Sequence, residues 1–266
     1  MYSNQPLGKT PAPIERKRIT NEYYRPLLVA HRCGSGLGPE NTCGAVVQSS
    51  FYIPDYFEID IRHTLDGVPV CFHDENLLRT GRFYDSQKGD WITREDKISD
   101  LSLDELMKAD AGIFFDNVFK NEKIPTLEKM LDCVNPSPLA IELKEKDISE
   151  DQCRKIAELL KAKKDISSLI LSFFPEVLER YGKVDPDRRE CYLATDIDEY
   201  SKTGGHEIVG LLSTNCTLEK VDELHKAGKK VFVWTVNDDF EKYAKIGVDA
   251  IVTDRPDLMR SALPPT

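Results

Sequence analysis

Glu58 and Asp60 sit two residues apart in YFEIDIR (56–62), and His73 follows after a short return through Asp66-Gly67. A third acid, Glu142, holds a similar place in LAIELK (139–144), with Lys144 two residues beyond it. Side chains alternate along a strand, so Tyr56, Glu58, Asp60 and Arg62 share one face, and Phe57, Ile59 and Ile61 share the other. Ala140, Glu142 and Lys144 separate from Leu139, Ile141 and Leu143 in the same way. Three carboxylates on buried inner faces repel one another and are costly to desolvate unless a cation compensates them. An all-oxygen set suits a hard divalent ion, Mg²⁺ or Ca²⁺, rather than zinc. The competing reading pairs each acid with an Arg or Lys in a core salt bridge.

Two histidines add proton-transfer chemistry, since imidazole titrates near neutral pH. His31 closes LLVAH (27–31) and is followed by Arg32 and the glycine-rich CGSGLGPEN, where backbone amides and a guanidinium are expected to approach an anion. Asp66-Gly67 is a strong signal for a two-residue hairpin turn. Such a turn pairs Leu65 with Val68 and sets Asp60 opposite His73, with Cβ atoms about 4.5–5.5 Å apart. Glu58, Asp60 and His73 are then expected to form one cluster.

The elements that must position these groups follow a regular rhythm. Apolar runs at 27–31, 56–62, 68–73, 139–144, 168–173, 190–195, 208–214, 230–236 and 250–254 read as strands. Most are separated by amphipathic helix patterns, one opening at Ser149, another at Thr217 and ending at Gly228. Parallel neighbours need a crossover of about a dozen residues, and the link between 56–62 and 68–73 is far shorter. That pair is therefore antiparallel, which leaves eight parallel strands and predicts a (β/α)₈ TIM-type barrel. Residues 75–125 are too long for a βα loop and predict a small subdomain inserted on the rim. The barrel domain is expected over 27–262, behind an N-terminal tail of 1–26 with the basic run Arg16-Lys17-Arg18.

Composition narrows the function classes. Acids outnumber bases 46 to 36, a formal charge of −10, which argues against a nucleic-acid surface. A small anionic substrate requires only local positive charge. The first 26 residues lack the apolar core of a secretory signal, and no run approaches the ~18 apolar residues of a membrane span. Seven cysteines, with no CxxC and no Cys/His cluster at zinc spacing, read as reduced thiols in a cytoplasmic protein. The oligomeric state is left open.

The segments AHRCGSGLGPENT, EIDIRHTLDGVPVCFHDENLLRTG, ISDLSLDELMKADAG, IPTLEKML, IELK, LSFFPEVL, VFVWTVN and GVDAIVTDRPDL occur in this order from about Leu27 to Leu258. The ordered set resembles the glycerophosphodiester phosphodiesterase family. That resemblance implies a TIM-type barrel with a small insertion and metal-dependent hydrolysis of glycerophosphodiesters to glycerol 3-phosphate and an alcohol. By its motifs, His31 and His73 match the acid/base pair, and Glu58, Asp60 and Glu142 the metal ligands. Arg32 and Lys144 match phosphate contacts, and Trp234 an aromatic lining the glycerol pocket. The nucleophile stays open between water and the substrate's own glycerol hydroxyl. One departure is Cys33, where the family usually has glycine; a local loop adjustment is expected, with Cys33 a tolerated small residue.

Two rival functions remain at this level. A lysophospholipase D-type hydrolase acting on acylated diesters would want an apolar patch beside the mouth, with Phe114, Phe115 and Phe119 as candidates. A non-catalytic phosphate-binding barrel is the other.

Overall fold

The computed structural model of the chain describes residues 17–18, 24–195, 198 and 205–264. Eight parallel strands close on themselves: β1 (Leu27–Ala30), β2 (Tyr56–His63), β4 (Leu139–Leu143), β5 (Ser168–Ser172), β6 (Arg189–Ala194), β7 (Ile208–Leu212), β8 (Lys230–Trp234) and β9 (Ala250–Thr253). The ring is sealed by β9 on β1 and by β1 on β2, where Val29 lies opposite Tyr56. A ninth strand, β3 (Pro69–Cys71), runs antiparallel to the end of β2. This is the predicted (β/α)₈ barrel. Most of the expected tail lies outside the described residues; Lys17–Arg18 pairs antiparallel with Tyr24–Arg25.

Alternation along the strands builds two apolar layers. Ile59, Ile61, Ile141, Leu143, Ile170 and Val231 face outward into one core with the helices. Leu27, Val29, Tyr56, Ala140, Leu169, Phe232 and Val252 fill the barrel interior. Each fully buried side chain of this size contributes roughly 1.5–3 kcal/mol. After Tyr56, the inner face of β2 turns from apolar to charged at Glu58, Asp60 and Arg62, toward the end nearer the loops.

Local signals fix the helices. Helix α4 (Glu150–Ala162) begins with a capping box between Ser149 and Gln152. Helix α5 (Leu218–Lys226) starts where the Thr217 hydroxyl accepts from the Lys220 amide. It ends with Gly228 at φ +75°, the Gly228 amide donating to the His225 carbonyl and the Lys229 amide to that of Leu224, a Schellman motif. In the rim insertion, Phe83–Asp85 pairs with Asp90–Ile92, and a short helix, α2 (Leu103–Leu106), carries its own capping box. Val70, Phe72, Leu77, Ile98, Leu101, Leu106 and Ile124 give the insertion a separate core.

Two expectations are corrected. The hairpin does not turn on two residues. The Thr64 amide donates to the Val68 carbonyl, and Gly67 takes φ +69°, so Leu65, Asp66 and Gly67 form a three-residue loop. The Asp66 carboxylate accepts from the Thr64 hydroxyl at 2.6 Å and from the Leu103 amide at 3.1 Å, which holds the loop in this shape. The register therefore moves by one: Ile61 faces Cys71, Arg62 faces Val70, and the Phe72 amide, not His73, reaches the Asp60 carbonyl. The seven cysteines are not all thiols either. Cys43, which opens α1 (Cys43–Ser50), is disulfide-bonded to Cys133 near the end of α3 (Leu127–Val134). Ninety residues separate them in sequence, and only the packing of these helices around the barrel brings them together. Cys33, Cys71, Cys153, Cys191 and Cys216 are free and buried.

Candidate active site

The three inward acids converge as expected. Asp60 and Glu142 are paired across β2 and β4, and Glu58 lies one inward position before Asp60. Glu58, Asp60 and Glu142 are 3%, 0% and 7% exposed, and each offers an oxygen within 4.8 Å of the others. Lys144, just past β4, sets its Nζ 2.7 Å from Glu142 and 3.5 Å from Asp60. Arg32 approaches Asp60 at 3.6 Å through its side chain, and its amide donates to Glu58 at 2.6 Å. Glu58 Oε1 and Asp60 Oδ1 are nonetheless buried with no hydrogen-bond partner. Buried carboxylate oxygens that lack a hydrogen bond and lie within 4.8 Å of one another fit a bound hard cation, with Lys144 at 3.5 Å from Asp60 Oδ1 offsetting part of their charge.

Electrostatics reflect this crowding. Burial and the neighbouring Asp60 charge push the Glu58 carboxyl up to about 8. Burial and Asp60 also raise Glu142. Burial opposes ionisation of Asp60, but Lys144, His73 and Arg32 outweigh it and hold that carboxyl down. Lys144 is disfavoured by burial yet raised by Asp60 and Glu142, so it stays cationic.

His31 and His73 stand on the same cavity, and each has its Nδ1 on a carboxylate. His31 meets Asp254 at 2.6 Å, and Asp254 is itself fixed by the Ser35 hydroxyl and the Asn237 amide. His73 meets Asp74 at 2.7 Å. Burial lowers His73, whereas for His31 the hydrogen bond to Asp254 and the Glu58 charge overcome burial and raise it. His73 reaches the cavity despite the shifted register because β3 ends at Cys71 and the chain bends over residues 73–75. Pairing no longer dictates which way its side chain points.

The cavity, of about 140 Å³, has two unlike walls. His31, Arg32, Glu58, His73, Glu142 and Lys144 form the charged one; Leu171, Phe173, Leu193, Trp234 and Val252 form the apolar one. Asp60 lies buried behind the charged wall. Trp234 packs edge-on against Phe173 at 5.1 Å, and its Nε1 is buried without a partner. Gly210 makes room for it: a Cβ there would come within 2.5 Å of Leu193 and 3.3 Å of Trp234.

The glycine-rich loop behaves differently from the expected anion cradle. The Gly34 and Ser35 amides donate to the His31 carbonyl and the Gly36 amide to that of Asp254, so these donors are engaged within the fold. The loop instead carries side chains that hold others. Asn41 donates to the Asp60 carboxylate at 2.8 Å and accepts from the Asp60 amide, and Glu40 accepts from Arg32. Cys33 takes φ +66° and is fully buried, with burial raising its thiol well above the usual range. It packs in the core with its Sγ 3.8 Å from the Glu58 carbonyl. Sequence reasoning missed Glu40, Asn41 and Asp74 and left Asp254 without a role, although all four lie inside the motifs that it singled out.

A parallel (β/α)₈ barrel whose acids, cations and histidines converge at the carboxyl ends of its strands defines an enzyme of the barrel class. Residues 31–258 match the model of the glycerophosphoryl diester phosphodiesterase family. The chain is 29% identical over 250 residues to a glycerophosphodiester phosphodiesterase of Caldanaerobacter subterraneus, covering 88% of this chain and 96% of that one. It is 28% identical to a putative glycerophosphodiester phosphodiesterase of Bacillus subtilis, covering 87% and 96%. Among solved structures, an Oleispira antarctica phosphodiesterase in complex with the product sn-glycerol-3-phosphate superposes with a TM-score of 0.80 at 27% identity, covering 90% and 97%. The chain belongs to the glycerophosphoryl diester phosphodiesterase family and is a phosphoric diester hydrolase. A non-catalytic barrel is thereby set aside. No helix among the described residues is long and apolar enough to cross a membrane.

Proposed function

We propose that this protein hydrolyses glycerophosphodiesters to glycerol 3-phosphate and an alcohol, with a divalent cation held by Glu58, Asp60 and Glu142. The observation that carries the reading is the set of buried, partly unpartnered carboxylate oxygens facing two carboxylate-backed histidines across one cavity. Mg²⁺ or Ca²⁺ bound there supplies Lewis-acid withdrawal of charge from the phosphoryl group. Arg32 and Lys144 bind the phosphoryl oxygens and offset the additional negative charge of the transition state. His31 and His73, each held at Nδ1, present Nε2 to the substrate. One removes the proton from the nucleophile and the other protonates the departing alkoxide, roles worth roughly 10²–10⁴-fold each. Trp234, on the apolar wall of the cavity, stacks on the glycerol moiety.

The cavity is small, and none of Phe114, Phe115 and Phe119 lines it, which favours diesters without an acyl chain over lyso-lipids. The catalytic unit is taken as residues 27–262 with 1–26 as its tail, and the setting as the cytoplasm. Titration of thiols in protein isolated from cells tests that setting, because a reducing compartment keeps Cys43 and Cys133 apart. For the activity itself, hydrolysis of choline, ethanolamine, inositol and glycerol diesters is assayed with Mg²⁺ or Ca²⁺ and with chelator. Metal-dependent release of glycerol 3-phosphate is expected. Release unaffected by chelation, or confined to acylated diesters, overturns the reading.

A further inference from the structure

We propose that Arg79, delivered by the rim insertion, is a positioning residue that sets His73 and Arg32 for the reaction. The proposal rests on the assignment of His73 above. Arg79 donates to both oxygens of Glu40, Nη1 to Oε2 and Nη2 to Oε1, each at 2.6 Å. Its Nε donates to Asp74 Oδ2, also at 2.6 Å. The other oxygen of Asp74 meets His73 Nδ1, and Glu40 Oε1 also accepts from Arg32 Nη1 at 3.1 Å. One guanidinium thus joins the loop after β1, the loop after β3 and the insertion.

His73 lies at a bend beyond β3, where Arg62 of β2 holds its carbonyl at 2.9 Å but no strand pairing sets the direction of its ring, so the ring needs a tether of its own. Asp74, its immediate neighbour, has the same freedom until Arg79 holds it. The turn carrying Arg79 is itself rigid. Leu77 and Thr80 are 0% and 2% exposed, the Gly81 amide donates to the Leu77 carbonyl, and Arg82 donates to the Arg79 carbonyl. Arg79 is 46% exposed, so its ion pairs contribute little to stability in water. What they fix is direction: a planar fork satisfies two carboxylates at set angles, which an ammonium cannot do.

The test uses the full chain with Mg²⁺ and glycerophosphocholine, comparing Arg79→Ala, Arg79→Lys, Asp74→Asn and the Arg79→Ala/Asp74→Asn pair. Loss of an orienting partner typically lowers activity about 10–100-fold. Arg79→Ala is expected to lower kcat by that amount, with KM, Mg²⁺ affinity and Tm little changed. Arg79→Lys should recover only part of the loss, and the pair should be no worse than the poorer single variant. Unchanged kcat in Arg79→Ala, additive losses in the pair, or a parallel fall in Mg²⁺ affinity each overturn the proposal. His73→Ala is the control: if it keeps full activity, the assignment of His73 fails, not the tether alone. Nitrogen NMR of the His73 ring gives a readout independent of turnover. The Nδ1–H signal hydrogen-bonded to Asp74 should weaken in Arg79→Ala, and an unaltered ring spectrum counts against the tether.

Discussion

Asp60 and Glu142 lie directly opposite each other on adjacent parallel strands, with the Lys144 ammonium within 3.5 Å of the first and 2.7 Å of the second. Two buried acids in that relation tolerate one another only through the cations around them. Replacing Glu142 by Gln removes one anionic ligand while keeping its shape. Metal affinity is expected to fall at least about 10-fold, and activity with it, without loss of fold. Calorimetric titration with Mg²⁺ and Ca²⁺ measures this, and an unchanged affinity would remove Glu142 from the site.

The raised carboxyl of Glu58 gives a pH signature. Its ordinary value is 4.5 and its folded value about 8, so between them the folded, metal-free chain holds a proton that the unfolded chain has released. Stability from this group is therefore fully present below about 4.5 and declines as pH rises toward about 8. The cation requires the ionised form, so binding at neutral pH should release close to one proton, and affinity should climb with pH until about 8. Calorimetry in buffers of different ionisation heat counts the protons. Zero release would mean that Glu58 is already ionised without metal.

Trp234 forms the apolar wall rather than the charged one. Trp234→Ala should therefore impair glycerol diesters more than bis(p-nitrophenyl) phosphate, which has no glycerol to stack. Equal losses on the two substrates would make Trp234 a core residue only.

Two glycines separate conformation from contact. Gly67 takes φ +69° with open space around it, so Gly67→Ala should cost about 1–2 kcal/mol of stability and leave turnover unchanged. At Gly36 a Cβ would lie 2.4 Å from Arg255 Cδ and 2.8 Å from the Asp254 carbonyl. Gly36→Ala should displace Asp254, and with it the orientation of His31, lowering kcat more than stability. Thermal melts beside steady-state kinetics distinguish the two cases; a Gly36 variant with normal kcat would sever the link to His31.

The disulfide is checked by thiol counting. Protein purified in air and denatured without reductant should titrate five thiols, and reduced protein seven. A cross-link closing a loop of this size typically adds about 2–5 kcal/mol, so reduction should lower Tm. Seven thiols without reductant would show that the pair is open in solution.

By itself, the sequence determined the barrel, the inward face of Glu58, Asp60 and Glu142, and the helix ends at Ser149, Thr217 and Gly228. Each of these depends on a short period or a local cap, and a strand's alternation assigns a face wherever the opposite face is apolar. The hairpin register was beyond it. Asp66-Gly67 announces a turn, but the bond from Thr64 and the anchoring of Asp66 on Leu103, 37 residues away, decide between a two- and a three-residue loop. Tertiary structure alone decided that His73 enters the cavity from a bend, that Asp254 backs His31 across 223 residues, and that Cys43 meets Cys133. Such contacts carry no periodic signal. They depend on which loops the closed barrel brings to the same rim, and that is set only when β9 seals against β1 and β1 against β2.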